Sequence, residues 1–281
     1  MADMDHTTFQ RAADLIEDAD ALFVAAGAGM GIDSGLPDFR GPDGFWAAYP
    51  ALGRRGLEFY EVASPRTFET DPALVWGFYG HRLALYRQTT PHAGFIILKG
   101  WGKSMFHGCR VFTSNVDGHF QCAGYGEDAI TECHGSIHHL QCSRPCCGDV
   151  WSADEFVPVV DEETCTLVND PPKCPWCGAI ARPNIMMFGD MGWIDRRSKG
   201  QEAGLRRWLG EATRIVVIEL GAGTAIPSVR HFSQRLVVNH GARLVRINPK
   251  EPAVPTQNDV SVARPALAAL QAISAALAGR Q

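Results

Sequence analysis

No stretch of this chain approaches the ~18 consecutive apolar residues that a membrane-spanning helix needs. There is no surplus of positive charge either. Lys plus Arg is 26 against 31 for Asp plus Glu, a net charge of −5, which excludes nucleic-acid binding through bulk electrostatic attraction. The opening decapeptide, MADMDHTTFQ, lacks the basic region and apolar stretch of a secretory signal. Internal repeats, low-complexity tracts and disordered linkers are absent from the sequence. The nine cysteines are an odd number, and with no export signal they fit reduced thiols and metal binding better than a disulfide framework. A cytoplasmic protein is expected, with no membrane and no nucleic-acid partner.

What is present is enough apolar material for a core. Hydrophobic residues make up 46% of 281 and charged residues 20%, so the chain is not disordered. Its length corresponds to roughly two modest domains or one large domain with an insertion. Residues 8–19 carry apolar positions at helical spacing, with Thr7 or Thr8 as the cap. ALFVAA then runs into Gly27-Ala28-Gly29, a buried strand ending in a glycine turn. VFTSNVD (111–117), RIVVIELGAG (214–223) and ARLVRINP (242–249) repeat the pattern of a buried strand ending in small or polar residues. With helical stretches between them they predict an α/β fold built on a parallel sheet, with ligands beyond the carboxyl ends of the strands. Asp71-Pro72 opens a helix over 71–88, because Pro suits the first helical position. The Ala-rich run 263–279 predicts a closing amphipathic helix.

The middle of the chain differs. Six cysteines and several prolines fall between Gln141 and Cys177, a small insertion stapled by metal rather than by a core. Cys174-Pro175-Trp176-Cys177 is a zinc knuckle. Its partner half is Cys142 with Cys146, or Cys142 with Cys147, since both spacings lie in the usual range; Cys146 is the choice. Four thiolates close a tetrahedral site and leave no position for water, so the zinc is structural.

The run Gly27-Ala28-Gly29 to Asp38-Phe39-Arg40-Gly41 resembles the signature of the sirtuin family, the NAD-dependent protein-lysine deacylases. Glycines let backbone N–H groups approach a pyrophosphate, and Arg40 offers a fork of donors to phosphate or carboxylate. Gly31 stands where the family carries Ser. Further segments follow in family order from about Ala21 to Val262. Thr113-Ser114-Asn115-Val116-Asp117 resembles the Thr-Gln-Asn-Ile-Asp segment that shapes the nicotinamide pocket. His134-Gly135 resembles the catalytic His. Arg182-Pro183 through Phe188-Gly189-Asp190 resembles the segment that pairs with the substrate backbone. Gly221-Ala222-Gly223-Thr224 lies where the family has Gly-Thr-Ser, and Asn248 matches its Ile-Asn.

The resemblance implies a single catalytic domain, 1–281. Its core is a Rossmann-like parallel-sheet domain, with a zinc-ribbon insertion around 135–185 and a helical insertion around 42–95. It implies NAD as cofactor, contacted by Gly27, Ala28, Gly29, Asp38, Phe39, Arg40, Trp46, Ser114, Asn115, Asp117, Gly221 and Asn248. His134 is the implied general base, with Asn115 and Asp117 as its catalytic companions. Phe188 and Gly189 would meet an acyl-lysine protein or peptide. The chemistry is transfer of the acyl group to ADP-ribose, with release of nicotinamide. An ADP-ribosyltransferase or NAD glycohydrolase on the same scaffold is the alternative, and a non-catalytic NAD-binding module is a third. Sirtuins that prefer acidic acyl groups carry Tyr-x-x-Arg in this region, and Tyr79 and Arg82 form it here, at a spacing that puts both on one helix face. Arg82 and Tyr79 would then hold a succinyl or malonyl carboxylate.

Overall fold

All six residues of Ala21–Ala26 are buried. A run buried throughout needs cover on both sides, as in a parallel sheet between two helix layers. The computed structural model describes residues 2–37, 41–144 and 146–280, apart from the side chains of 2–5 and 41–43. Among these residues the strands are β1 (Ala21–Ala26), β2 (Cys109–Thr113), β3 (Ile130–Glu132), β4 (Gly135–Cys142), β5 (Val150–Ser152), β6 (Val160–Asp161), β7 (Thr166–Leu167), β8 (Ala181–Ile185), β9 (Ile215–Leu220), β10 (Arg243–Ile247) and β11 (Val260–Val262).

Six strands form one sheet in the order β11-β10-β9-β1-β2-β3, and every pairing is parallel. The chain builds outward from β1 through β2 and β3, then returns to the other side of β1 for β9, β10 and β11. The strand order therefore reverses between β1 and β9, where doubly wound folds bind ligands. Side chains of β1 alternate between two apolar layers. Leu22, Val24 and Ala26 pack with Ala12, Phe95, Leu270 and Ile273, while Ala21, Phe23 and Ala25 pack with Leu205, Trp208, Val229 and Leu236.

The four strands predicted from sequence are all present, and the short edge strands β3 and β11 join them. The first helix departs from expectation. It spans Ala2–Glu17, so neither Thr7 nor Thr8 is its cap. No Gly or Pro among the preceding residues stops it, and Ala12, Ala13 and Ile16 anchor its second half in the core. The helix Pro72–Gln88 begins as predicted, with the Asp71 carboxylate accepting from the Leu74 N–H.

β5, β4 and β8 form a three-stranded sheet, and β6 and β7 a hairpin. Here the expectation of metal in place of a core needs correcting. Ile137, Leu140, Ala181 and Ile185 lie in one buried cluster with Val75, Trp76, Phe78 and Tyr79. The Trp76 indole N–H also donates to the Ala181 carbonyl at 2.9 Å. This small sheet has its core, shared with a helix more than fifty residues earlier in the chain. No helix among the described residues is long and apolar enough to cross a membrane.

Candidate active site

The turns after β1 and β9 meet at the switch point. Gly27 N–H donates to the Leu220 carbonyl at 2.9 Å, and Gly29 N–H to the Gly221 carbonyl at 3.1 Å. A Cβ on Gly27 would lie 2.7 Å from Ala222 Cα, and one on Gly29 2.6 Å from Gly221 Cα. Gly221 itself has φ +58, where side chains are disfavoured. These glycines are thus required by each other. The amides of Gly27 and Gly29 join the two halves of the sheet. At Gly31 a Cβ would meet only the end of the Leu36 side chain, at 2.9 Å. Asp38, Phe39 and Arg40 lie outside the described residues. Trp46 is part-buried, and its indole N–H donates to the Leu57 carbonyl at 2.8 Å.

The segment after β2 is folded by its own polar side chains. Thr113 Oγ1 donates to the Ala26 carbonyl and accepts from Asn115 N–H, both at 3.0 Å. Asn115 Nδ2 then donates to the Gly27 carbonyl at 3.0 Å, so the amide side chain spans the crevice to the first glycine turn. Ser114 N–H donates to the Ala26 carbonyl at 3.2 Å. Asp117 is buried, and its Oδ1 accepts from His119 N–H at 3.0 Å. His138 reaches the Asp117 carbonyl through Nε2 at 2.8 Å and helps hold this segment.

His134 lies two residues beyond β3 and immediately before β4. Its Nε2 is 3.2 Å from Ser228 Oγ, and its carbonyl accepts from Met186 N–H at 2.9 Å. Burial holds the imidazole below its ordinary value of 6.5, partly opposed by a backbone hydrogen bond with Ser114. The ring is neutral near pH 7 and can accept a proton there.

Beyond Met186 the chain turns through Phe188 and Gly189, which has φ +65. Phe188 N–H donates to the Ala63 carbonyl at 3.2 Å, and its half-exposed ring stands edge-on to Phe59, with centroids 5.8 Å apart. An ion pair sets this loop. Arg182 reaches both oxygens of Asp190, at 2.6 and 2.9 Å, with both side chains almost fully buried. The same carboxylate accepts from Met187 and Gly192 N–H groups.

Tyr79 and Arg82 project from the Pro72–Gln88 helix, but Arg82 bonds a different tyrosine. Its Nε and Nη2 donate to Tyr86 Oη at 3.0 and 2.5 Å, the i, i+4 neighbour. Tyr79 is buried and stacks on Phe68 at 5.9 Å. Burial raises the hydroxyls of both Tyr79 and Tyr86 above their usual value, partly opposed by Arg82.

Asn248 is buried and engaged within the protein. Its Nδ2 donates to the Ala222 carbonyl at 3.0 Å, and its Oδ1 accepts from Lys250 and Glu251 N–H groups. It holds the 221–222 turn in place. Beneath that turn Glu219 and Arg246 form a buried ion pair at 2.5 Å, which explains a Glu inside β9.

The sulfurs of Cys142, Cys146, Cys174 and Cys177 lie within 4.8 Å of one another. The Cys142–Cys177 and Cys146–Cys174 separations are both 3.6 Å, near the roughly 3.8 Å edge of a tetrahedron with Zn–S bonds of about 2.3 Å. The donor set fits zinc, and Cys146 rather than Cys147 belongs to it.

Two roles in this region carry no signal in the sequence. Ser228 carries no local signal, since Pro227-Ser228 is an ordinary helix start. Tyr86 was visible as a tyrosine but not as the partner of Arg82.

Comparison with known proteins gives a consistent answer. The Sir2 family model matches residues 27–203. NAD-dependent protein deacylase 2 of Pyrobaculum aerophilum is 31% identical over 256 residues, covering 89% of this chain and 88% of that protein. NAD-dependent protein deacylase 1 of Caldanaerobacter subterraneus is 30% identical over 228 residues, covering 81% and 82%. The crystal structure of a Sir2 homologue–NAD complex superimposes with a TM-score of 0.70 at 23% identity, covering 96% of this chain and 94% of that one. That last likeness is one of fold.

Proposed function

The chain belongs to the Sir2 family, and from that premise we propose that it is an NAD-dependent protein-lysine deacylase. It transfers an acyl group from a lysine side chain to the ADP-ribose part of NAD and releases nicotinamide. The observation that carries this reading is the Asn115 Nδ2 bond to the Gly27 carbonyl at 3.0 Å. It joins the glycine turn at the switch point to the Asn-x-Asp segment, and His134 stands in the link between the next two strands, β3 and β4.

In this reading Gly27, Ala28, Gly29, Gly221 and Asn248 shape the cofactor crevice, with Asp38, Phe39, Arg40, Trp46 and Ser114. Asn115 and Asp117 receive the carboxamide, to which an amide and a carboxylate are complementary. His134 takes the proton from a ribose hydroxyl. Phe188 and Gly189 meet the substrate peptide. The four cysteines hold a structural zinc that ties the two ends of the 142–177 segment. The domain is one unit, 1–281, with its insertions at 42–95 and 135–185. The net charge of −5 and the zinc thiolates suit a cytoplasmic enzyme acting on protein or peptide rather than nucleic acid.

We extend the reading to the acyl group. In this reading Arg82, whose guanidinium donates to Tyr86 Oη, would receive a carboxylate, making succinyl- or malonyl-lysine preferred over acetyl-lysine.

A panel of acetyl-, malonyl- and succinyl-lysine peptides incubated with NAD tests the whole proposal. Mass spectrometry should find free lysine, nicotinamide and O-acyl-ADP-ribose in equal amounts. Nicotinamide release that is independent of the peptide, or ADP-ribose linked to protein, would replace it with the glycohydrolase or transferase reading. His134→Ala should lose about 10²–10⁴-fold in turnover and keep NAD binding.

A further inference from the structure

The His134 imidazole lies between partners from two distant parts of the chain. Its Nε2 is 3.2 Å from Ser228 Oγ. The ring also makes a backbone hydrogen bond with Ser114 that favours the protonated form, as a carbonyl acceptor does. A neutral imidazole has one N–H. Placed on Nδ1, that proton leaves Nε2 bare, to accept from the Ser228 hydroxyl at 3.2 Å. Ser228 also begins the helix Ser228–His240, so the positive end of that helix dipole lies beside the ring and disfavours an imidazolium.

We propose that Ser228 is a positioning residue for the base. Its hydroxyl holds His134 in the tautomer with Nε2 unprotonated and gives up that place to a ribose hydroxyl when NAD binds. The inference rests on the deacylase reading only for its second half; the first half concerns the ligand-free protein.

Charges on the surrounding elements are occupied elsewhere. Asp117 accepts from His119 N–H, and Glu132 is paired with Arg197. Asp190 is paired with Arg182, and Arg230 donates to Ala222 and Glu251. The neighbouring Cys133 thiol is pushed up to about 12 by burial, so it stays neutral. Ser228 is thus the side chain best placed to set the protonation of the base.

The test is an imidazole nitrogen NMR titration of His134 in the full-length, ligand-free protein, beside the pH dependence of kcat/KM for deacylation. A donor to Nε2 stabilises the neutral ring, so Ser228→Ala should raise the His134 midpoint. The expected rise is about half to one pH unit, the equivalent of one ordinary hydrogen bond. The acid limb of kcat/KM should move the same way, and Ser228→Thr should restore both. A merely structural Ser228 would lower stability and leave the midpoint unmoved, which overturns the proposal. A midpoint that falls also overturns it, because Nε2 would then be the donor. A midpoint that rises in a protein with no deacylase activity would leave the tautomer assignment standing and refute the deacylase reading.

Discussion

The amide of Gly29 donates to the carbonyl of Gly221 at 3.1 Å, across the point where the strand order of the sheet reverses. The two turns sit so close that a methyl group on Gly29 would lie 2.6 Å from the Gly221 backbone. Backbone cannot rotate aside as a side chain can. Gly29→Ala should therefore destabilise by about 3 kcal/mol or more. Gly31→Ala, which meets only the flexible end of Leu36, should stay within about 1 kcal/mol. Denaturant melts of the two variants check this, and equal losses would refute it.

Five histidines are held below 6.5, each chiefly through burial: His81, His92, His134, His138 and His139, the last falling to about 4. Below pH 6.5 the unfolded chain binds more protons than the folded one, so stability rises with pH in that range. The contribution is fully present above 6.5 and is lost as pH falls toward 4. Thermal midpoints measured from pH 7 to 4.5 should drop, and His139→Gln should reduce the drop. A profile identical in the variant removes His139 from the account.

Cys174→Ser should lose bound zinc and thermal stability together, because metal binding is coupled to folding. Cys147→Ser should lose neither, since Cys147 is outside the four-sulfur cluster. Elemental analysis beside a melt decides the matter. Zinc lost from Cys147→Ser but kept in Cys146→Ser would exchange the two ligands.

Asp190→Asn leaves the buried Arg182 guanidinium without its counter-charge. A loss of about 3–5 kcal/mol is expected. The carboxylate also holds the Met187 and Gly192 amides, so KM for peptide should rise more than kcat falls. If KM is unchanged while stability drops, the loop does not bind substrate.

Arg82→Met should cut desuccinylation by roughly tenfold or more, the worth of a lost charged hydrogen bond, and change deacetylation little. Tyr86→Phe removes the hydroxyl that takes two Arg82 donors and should act in the same direction with smaller size. A wild-type preference for acetyl peptide, or an equal loss of both activities in Arg82→Met, would reject the acidic-acyl assignment and leave the deacylase reading intact.

The motifs were legible because their residue types leave few alternatives. A knuckle of Cys174 and Cys177 states its chemistry in four residues, and a buried run ending in Gly27-Ala28-Gly29 announces both a strand and its turn. The identity of the first-half ligand was less legible, since Cys146 and Cys147 are adjacent and both lie at a usual spacing from Cys142. Only folding brings Cys146, and not its neighbour, within 3.6 Å of Cys174.

The sequence alone determined the parallel α/β sheet, the order of the motifs along it and the four-thiol site. These follow from local properties: hydrophobic runs, turn-forming glycines, and the fixed chemistry of thiolates. Tertiary structure decided the partners. It turned the amides of Gly27 and Gly29 toward β9, gave Arg82 to Tyr86, locked Arg182 onto Asp190 and placed Ser228 against His134. Each of those contacts depends on where the chain returns after tens of residues or on which rotamer a packed helix allows. Neither is written in the local pattern, because burial and backbone geometry select the pair only once the elements have met.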